Sequence, residues 1–126
     1  MAYVPEGILC SKSHEWILDE GEVFTIGLTD YAVEQLGDIV FVELPEVGAE
    51  FQKDETFATV ESVKAASEIY MPAGGKIVEV NEELINSPEK LNEDVWGSWL
   101  VKVDCPNWGE DSIGLMEYED YKESVS

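Results

Sequence analysis

Three kinds of side chain in this 126-residue sequence could do chemistry by type and spacing: one framed lysine, a lone histidine near a thiol, and a crowd of carboxylates. The stretch TVESVKAASEIY, residues 59–70, holds Lys64 between two runs that answer each other across it, in a chain with seven lysines and no arginine. A primary amine is a target for acylation, and one held out on a tip among small Ser62, Ala65 and Ala66 can be grasped by a large enzyme. On residue types alone, the plainer account of an exposed loop lysine has the stronger claim.

His14 is the single histidine; it stands beside Glu15 and four residues after Cys10. One histidine is too few for most zinc sites, and a Cys–His nucleophile would need two groups that neighbouring strand positions send to opposite faces. Carboxylates are so numerous that any two could be named a general acid and base, which makes that pattern uninformative. GxGxxG, GxxxxGK and GxSxG are absent. No catalytic residue and no metal site are therefore expected. Cys10 and Cys105 lack CxxC spacing and read as reduced thiols, with a single bridge left open.

The elements that must position Lys64 are mainly strands. HEWILDEGEVFTIGL, residues 14–28, reads as a hairpin around Asp19-Glu20-Gly21 with apolar residues on alternating faces. TDYAVEQLGD gives Thr29 as a helix N-cap, Asp30 at the positive end of the dipole and Gly37 as the stop. IVFVEL is a strand ended by Pro45; PEVGAEFQKDE is a loop; TFATVES is the next strand. The turn Ala73-Gly74-Gly75 leads to a strand over Lys76 to Val80. NEELINSPEKLNED reads as mostly connection, with Ser87 capping a turn that has Pro88 at its first position, and SWLVKV is the last clear strand.

Around Lys64 two structures compete. Val60, Val63, Ala66 and Ile69 are spaced by three, as in a helix, while Thr56, Val60, Val63 and the flanking strands favour a hairpin. In a hairpin the centre falls on Val63-Lys64, the wrong residues for a tight turn needing positive φ. A type I turn over Ser62 to Ala65 keeps both at negative φ and puts Lys64 outermost. GDIVFVEL, a loop and TFATVES are weakly echoed by GGKIVEV, a loop and SWLVKV. Two such halves related by a rough twofold would make a flattened barrel or sandwich with VESVKAAS at their join.

Length and composition fit one domain over residues 1–126, with a core over about 13–103. Leu115, Tyr118 and Tyr121 at helical spacing predict a C-terminal helix over about 113–123, its aromatics serving the core. The net charge of −21 repels phosphate backbones and anionic membrane faces, so neither nucleic acid nor membrane is an expected partner. Partners with basic docking surfaces, or simple solubility, account for the acidity, and such self-repulsion favours a monomer. No run approaches the roughly 18 apolar residues of a membrane span, and MAYVPEGILC resembles no leader.

With these residues on the page, the chain resembles the H proteins of the glycine cleavage system. SHEW, IGLTDYAVEQLGDIVFVELPEVG, FATVESVKAASEIYMP, GKIVEVNEEL, NED and GSWLVKV carry the likeness from about Ser13 to Val103. ESVKA separates it from biotin carriers, with Ala-Met-Lys-Met there, and from 2-oxoacid dehydrogenase lipoyl domains, with Asp-Lys-Ala.

The resemblance implies a mainly β barrel-sandwich hybrid of two small antiparallel sheets, short helices and a closing helix. It also implies a carrier that is not itself an enzyme. Lys64 would hold lipoate in amide linkage, with Glu61, Ser62, Val63 and Ala65 as the modification motif. Glu61 is the candidate for recognition by a lipoate ligase or lipoyl-transfer enzyme.

In the family a PLP-dependent glycine decarboxylase loads an aminomethyl group on the arm. A tetrahydrofolate-dependent aminomethyltransferase unloads it, and dihydrolipoyl dehydrogenase reoxidises the dithiol. The cleft sheltering the loaded arm maps onto Ser13, Glu15 and Glu68, the last standing where aspartate is common.

Cys10, Cys105, DCPNWGEDSIG and the extreme charge depart from the family pattern. Two other readings stand beside glycine cleavage: an H-like donor in lipoyl relay, and an unlipoylated acidic adaptor. The implied location is bacterial cytoplasm, or an organellar matrix after removal of a leader.

Overall fold

A computed structural model describes residues 4–125, so residues 1–3 and 126 of the expected domain lie outside the described residues. In chain order the strands are β1 (Leu9–Cys10), β2 (Glu15–Asp19), β3 (Phe24–Leu28), β4 (Ile39–Glu43), β5 (Glu50–Phe51), β6 (Thr56–Ser62), β7 (Ala66–Tyr70), β8 (Gly75–Val80), β9 (Val101–Asp104) and β10 (Met116–Glu117). The helices are α1 (Asp30–Leu36), α2 (Glu82–Asn86), α3 (Lys90–Glu93), α4 (Trp108–Asp111) and α5 (Tyr118–Val125). The result is mainly β, as expected, with antiparallel pairing throughout both sheets.

The sheets are unequal. One has seven strands in the order β10-β1-β2-β3-β9-β8-β5, and the other has three in the order β4-β6-β7. The echo in the sequence has a structural counterpart: β4 pairs with β6 in the small sheet, and β8 with β9 in the large one. The hairpin that carries Lys64 continues the first pair into β7. A single buried cluster draws Val42, Val60 and Ile69 from the small sheet and Ile17, Ile26, Ile77, Val101 and Val103 from the large one.

β2 and β3 form the expected hairpin, but β3 is buried at all five positions instead of alternating. Both its faces are covered: Trp108 packs on Phe24, with ring centroids 4.5 Å apart, and on the opposite face the enclosed Trp16 ring closes over Gly27. α1 begins where the cap chemistry places it. The Thr29 hydroxyl accepts from the Ala32 N–H, and Gly37 ends the helix at φ 83° with its N–H on the Val33 carbonyl.

Four expectations are corrected. PEVGAEFQKDE is not all loop, since Glu50 and Phe51 form β5 on the edge beside β8. NEELINSPEKLNED contains α2 and α3, each anchored by one enclosed leucine, Leu84 and Leu91. Ser87 offers its carbonyl, not its side chain, to the Lys90 N–H, and no side chain caps α3. SWLVKV is not the last strand, because β10 follows it.

The C-terminal helix also starts at Tyr118 rather than near 113. Met116 and Glu117 instead pair with Cys10 and Leu9, where the open edge of β1 offers backbone partners that a longer helix would forgo. No helix among the described residues is long and apolar enough to cross a membrane.

Candidate functional site

The hairpin reading holds at Lys64. Neither Val63 nor Lys64 has positive φ, which excludes the mirror-image turns, and the turn is braced largely by one side chain. The Ser62 N–H donates to the Ala65 carbonyl at 2.7 Å, while the Ser62 hydroxyl accepts from the N–H groups of Lys64 and Ala65 at 3.3 and 3.1 Å. The Val63 N–H donates to the Asp38 carbonyl, so the tip is also fixed to the chain leading into β4.

Val63 is 70% exposed and Lys64 stands exposed beside it, with no carboxylate of the described residues within ion-pair distance of its amine. The lysine stem passes Gly37. A methyl group there would sit 3.7 Å from Lys64 Cε.

Strand alternation then separates the other expected site residues. Glu61 lies opposite Phe41 and Ala66 on the exposed face, whereas Val60 and Ser62 point inward. Glu68 shares the outer face and accepts from the Tyr70 hydroxyl at 3.3 Å. Ser13 and Glu15 do come together: the hydroxyls of Ser11 and Ser13 each donate to Glu15 Oε1 at 2.5 Å. The Tyr70 N–H donates to Glu15 Oε2 at 3.2 Å. Glu15 is only 1% exposed. Burial pushes its carboxyl above the ordinary value, and the donors from Ser11, Ser13 and Tyr70 oppose that shift.

A cavity of about 280 Å³ lies beside this cluster, lined in part by Ser13, His14, Tyr31, Leu36, Ser67 and Ile69. Glu68 does not line it, because Ser67 and Ile69 take the inward positions on β7. One wall is α1: Leu36 at its end lines the cavity, and the next residue, Gly37, faces the Lys64 stem. The apolar residues of that wall suit an alkyl chain, and the hydroxyls of Ser13 and Ser67 suit a polar end group.

Several cavity residues, Tyr31, Leu36 and Ser67 among them, carried no sequence signal beyond helix or strand periodicity. Ser11 could have been noticed from the Ser-x-Ser-x-Glu spacing.

The remaining reactive types are built into structure. Cys10 and Cys105 are free and buried, and burial raises both thiols to about 12, with Asp30 adding to the first and Asp104 leading the charges on the second. Such thiols are poor nucleophiles at neutral pH. Among the described residues no three His, Cys, Asp or Glu side chains converge to hold a metal ion.

A barrel-sandwich hybrid with a lysine at the outer tip of a braced hairpin is the architecture of the lipoyl- and biotinyl-carrier class. Within that class, the chain belongs to the glycine cleavage H-protein family. The sequence model of that family, described as "Glycine cleavage H-protein", matches residues 8–126.

The chain is 49% identical to the glycine cleavage system H protein of Halothermothrix orenii, covering 97% of this chain and 98% of that one. It is 50% identical to the H protein of Carboxydothermus hydrogenoformans, covering 97% and 94%. The crystal structure of a glycine cleavage system H protein from Mycobacterium marinum superposes with a TM-score of 0.86 at 35% identity, over 97% of this chain and 98% of the other.

Proposed function

We propose that Lys64 carries lipoate in amide linkage, and that the chain delivers the aminomethyl group of glycine from a PLP-dependent decarboxylase to a tetrahydrofolate-dependent aminomethyltransferase. Dihydrolipoyl dehydrogenase would restore the disulfide form. One observation carries the reading: an exposed lysine on a fixed tip, with its stem against Gly37 and a half-apolar cavity along the same helix. The protein acts as a carrier and not an enzyme, and its acidity favours partners with basic docking faces and a monomeric state.

When bound, the lipoyl group supplies a dithiol that accepts and releases a one-carbon unit; the chain supplies orientation and shelter. Attachment consumes the Lys64 amine, for which the site fits, since that amine is exposed and unpaired among the described residues. Ser62 holds the tip so that a ligase meets one conformation. Glu61, exposed on the outer face one residue before Ser62, would be the residue that the ligase recognises.

Ser13 and the carboxylate of Glu15 would hold a protonated amine in the cavity by charge-assisted hydrogen bonds, and Glu68, on the outer face, would meet that amine only outside it. Excluding water from the cavity slows the hydrolysis that would yield ammonia, formaldehyde and a free thiol.

Intact mass after incubation with a lipoate ligase, ATP and lipoate tests the assignment. A lipoyl adduct present in wild type and missing in Lys64→Arg is expected; no adduct in wild type leaves the acidic adaptor. Exchange of bicarbonate into glycine with a cognate decarboxylase then separates glycine cleavage, which gives exchange, from a dedicated relay donor, which gives none.

A further inference from the structure

Tyr121 is 1% exposed, yet its hydroxyl does not end in the apolar core. It lies 2.7 Å from the Thr29 hydroxyl and 2.8 Å from Nδ1 of His14. Those two residues begin the two walls of the cavity beside Ser13: Thr29 caps α1, and His14 is itself a lining residue whose ring lies 5.0 Å from that of Tyr31. His14 also sits at φ 75°, a conformation that a non-glycine residue holds only when its surroundings enforce it.

Proton counting orders the chain. Thr29 Oγ1 accepts from the Ala32 N–H, and among the described residues the Tyr121 oxygen is the one acceptor within reach of its own hydrogen; that hydrogen therefore goes to Tyr121, and the Tyr121 hydrogen goes to His14 Nδ1. Each hydroxyl hydrogen then has an acceptor, and the imidazole keeps its proton on Nε2. Burial favours the same state, lowering the His14 pKa and raising that of Tyr121 to about 12.

We propose that Tyr121 is a positioning residue for the arm's cavity: its hydroxyl, bridging Thr29 and His14, ties both walls to α5 and fixes the imidazole with Nε2–H as the donor offered to an occupant. This rests on the assignment of Lys64 and the cavity to a lipoyl arm. A sulfur or carbonyl oxygen of the arm, not its protonated amine, is the acceptor such a donor would meet, so the C-terminal helix sets the chemistry of a cavity it does not line.

Because His14 is the only histidine, its ring nitrogens give ¹⁵N signals that need no assignment by mutation. The full unlipoylated wild-type chain at neutral pH should show Nε2 protonated and Nδ1 bare. Nδ1 protonated in wild type overturns the proposal, whether or not any variant folds. Tyr121→Phe keeps the ring and removes the bridge; its His14 should become a tautomer mixture with a pKa shifted from wild type.

In the lipoylated, aminomethyl-loaded protein the same variant should release ammonia roughly five-fold faster, the effect of losing one neutral hydrogen bond. An unchanged tautomer, or a changed one with unchanged ammonia release, overturns the assignment. Intact mass, read before loading, shows separately whether the lipoyl reading itself has failed.

Discussion

The Tyr70 N–H donates to Glu15 Oε2 across 55 residues of chain, and with this bond the edge strand of the small sheet is pinned to the large one. β7 is the last strand of its sheet, so the bond occupies an edge amide that would otherwise face solvent. The same strand begins two residues after Lys64. Glu15 thus steadies the hairpin base, while Ser62 steadies its tip.

Glu15 should make stability depend on pH in a defined direction. Its folded-state pKa is raised by burial above the ordinary 4.5, so the folded chain holds the proton more tightly than the unfolded chain. That contribution is fully present below the unfolded value and is lost as pH rises through the folded one. Glu15→Gln cannot titrate there. Urea unfolding should find its deficit relative to wild type growing as pH falls from neutrality towards 4.5; a shrinking deficit would reverse the assigned sign.

Ser62→Ala removes the acceptor for two tip amides and should cost about 1–2 kcal/mol. The functional consequence is larger than the thermal one, because the lysine remains but its presentation does not. Time-resolved intact mass should show slower ligase-catalysed acylation of Lys64 at unchanged final yield. Wild-type acylation kinetics in this variant would remove the tip's fixed geometry from the account.

Gly37→Ala separates backbone strain from contact with the lysine. At φ 83° and ψ −148° the position is nearly exclusive to glycine, so the variant should lose about 1–3 kcal/mol in denaturant titration. The new methyl would meet Lys64 Cε at 3.7 Å, an ordinary contact. Acylation of the folded variant should therefore proceed at close to the wild-type rate.

Gly27→Ala should be a packing mutant. Gly27 is paired with Trp16, and an added Cβ would lie 2.5 Å from the indole ring, which is itself enclosed against Trp96. Displacing that ring should cost about 1–3 kcal/mol. Trp16→Phe introduced into the same chain should return part of the loss, and a thermal melt of the double variant reads it.

What was legible in the sequence follows how local each cause is. Thr29 and Gly37 announce α1 because caps act within a turn, and β6 and β7 show through β-branched runs. Lys64 could be placed at a tip because the residues around it forbid the tighter turns. β1, β5 and β10 were hidden, since two residues have no period and their pairing is decided by edges formed elsewhere.

Leu115 matched a helical spacing that Met116 and Glu117 gave up for β1. The enclosure of Glu15 was equally invisible: an acid in a strand normally faces water, and only the approach of β7 over the paired serines makes burial affordable.

β5 leaves the loop between two strands of the small sheet and closes the far edge of the large one, while β10 returns from the other end of the chain to close the opposite edge. The first echoing half consequently lends a strand to the sheet of the second, which cannot be completed from the second half's own residues. Most of the ordering cost falls on distant pairings, which places the chain among slow-nucleating topologies. A nascent or partly unfolded molecule would offer the lysine on slack chain, so a ligase that requires the braced tip also inspects whether folding has finished.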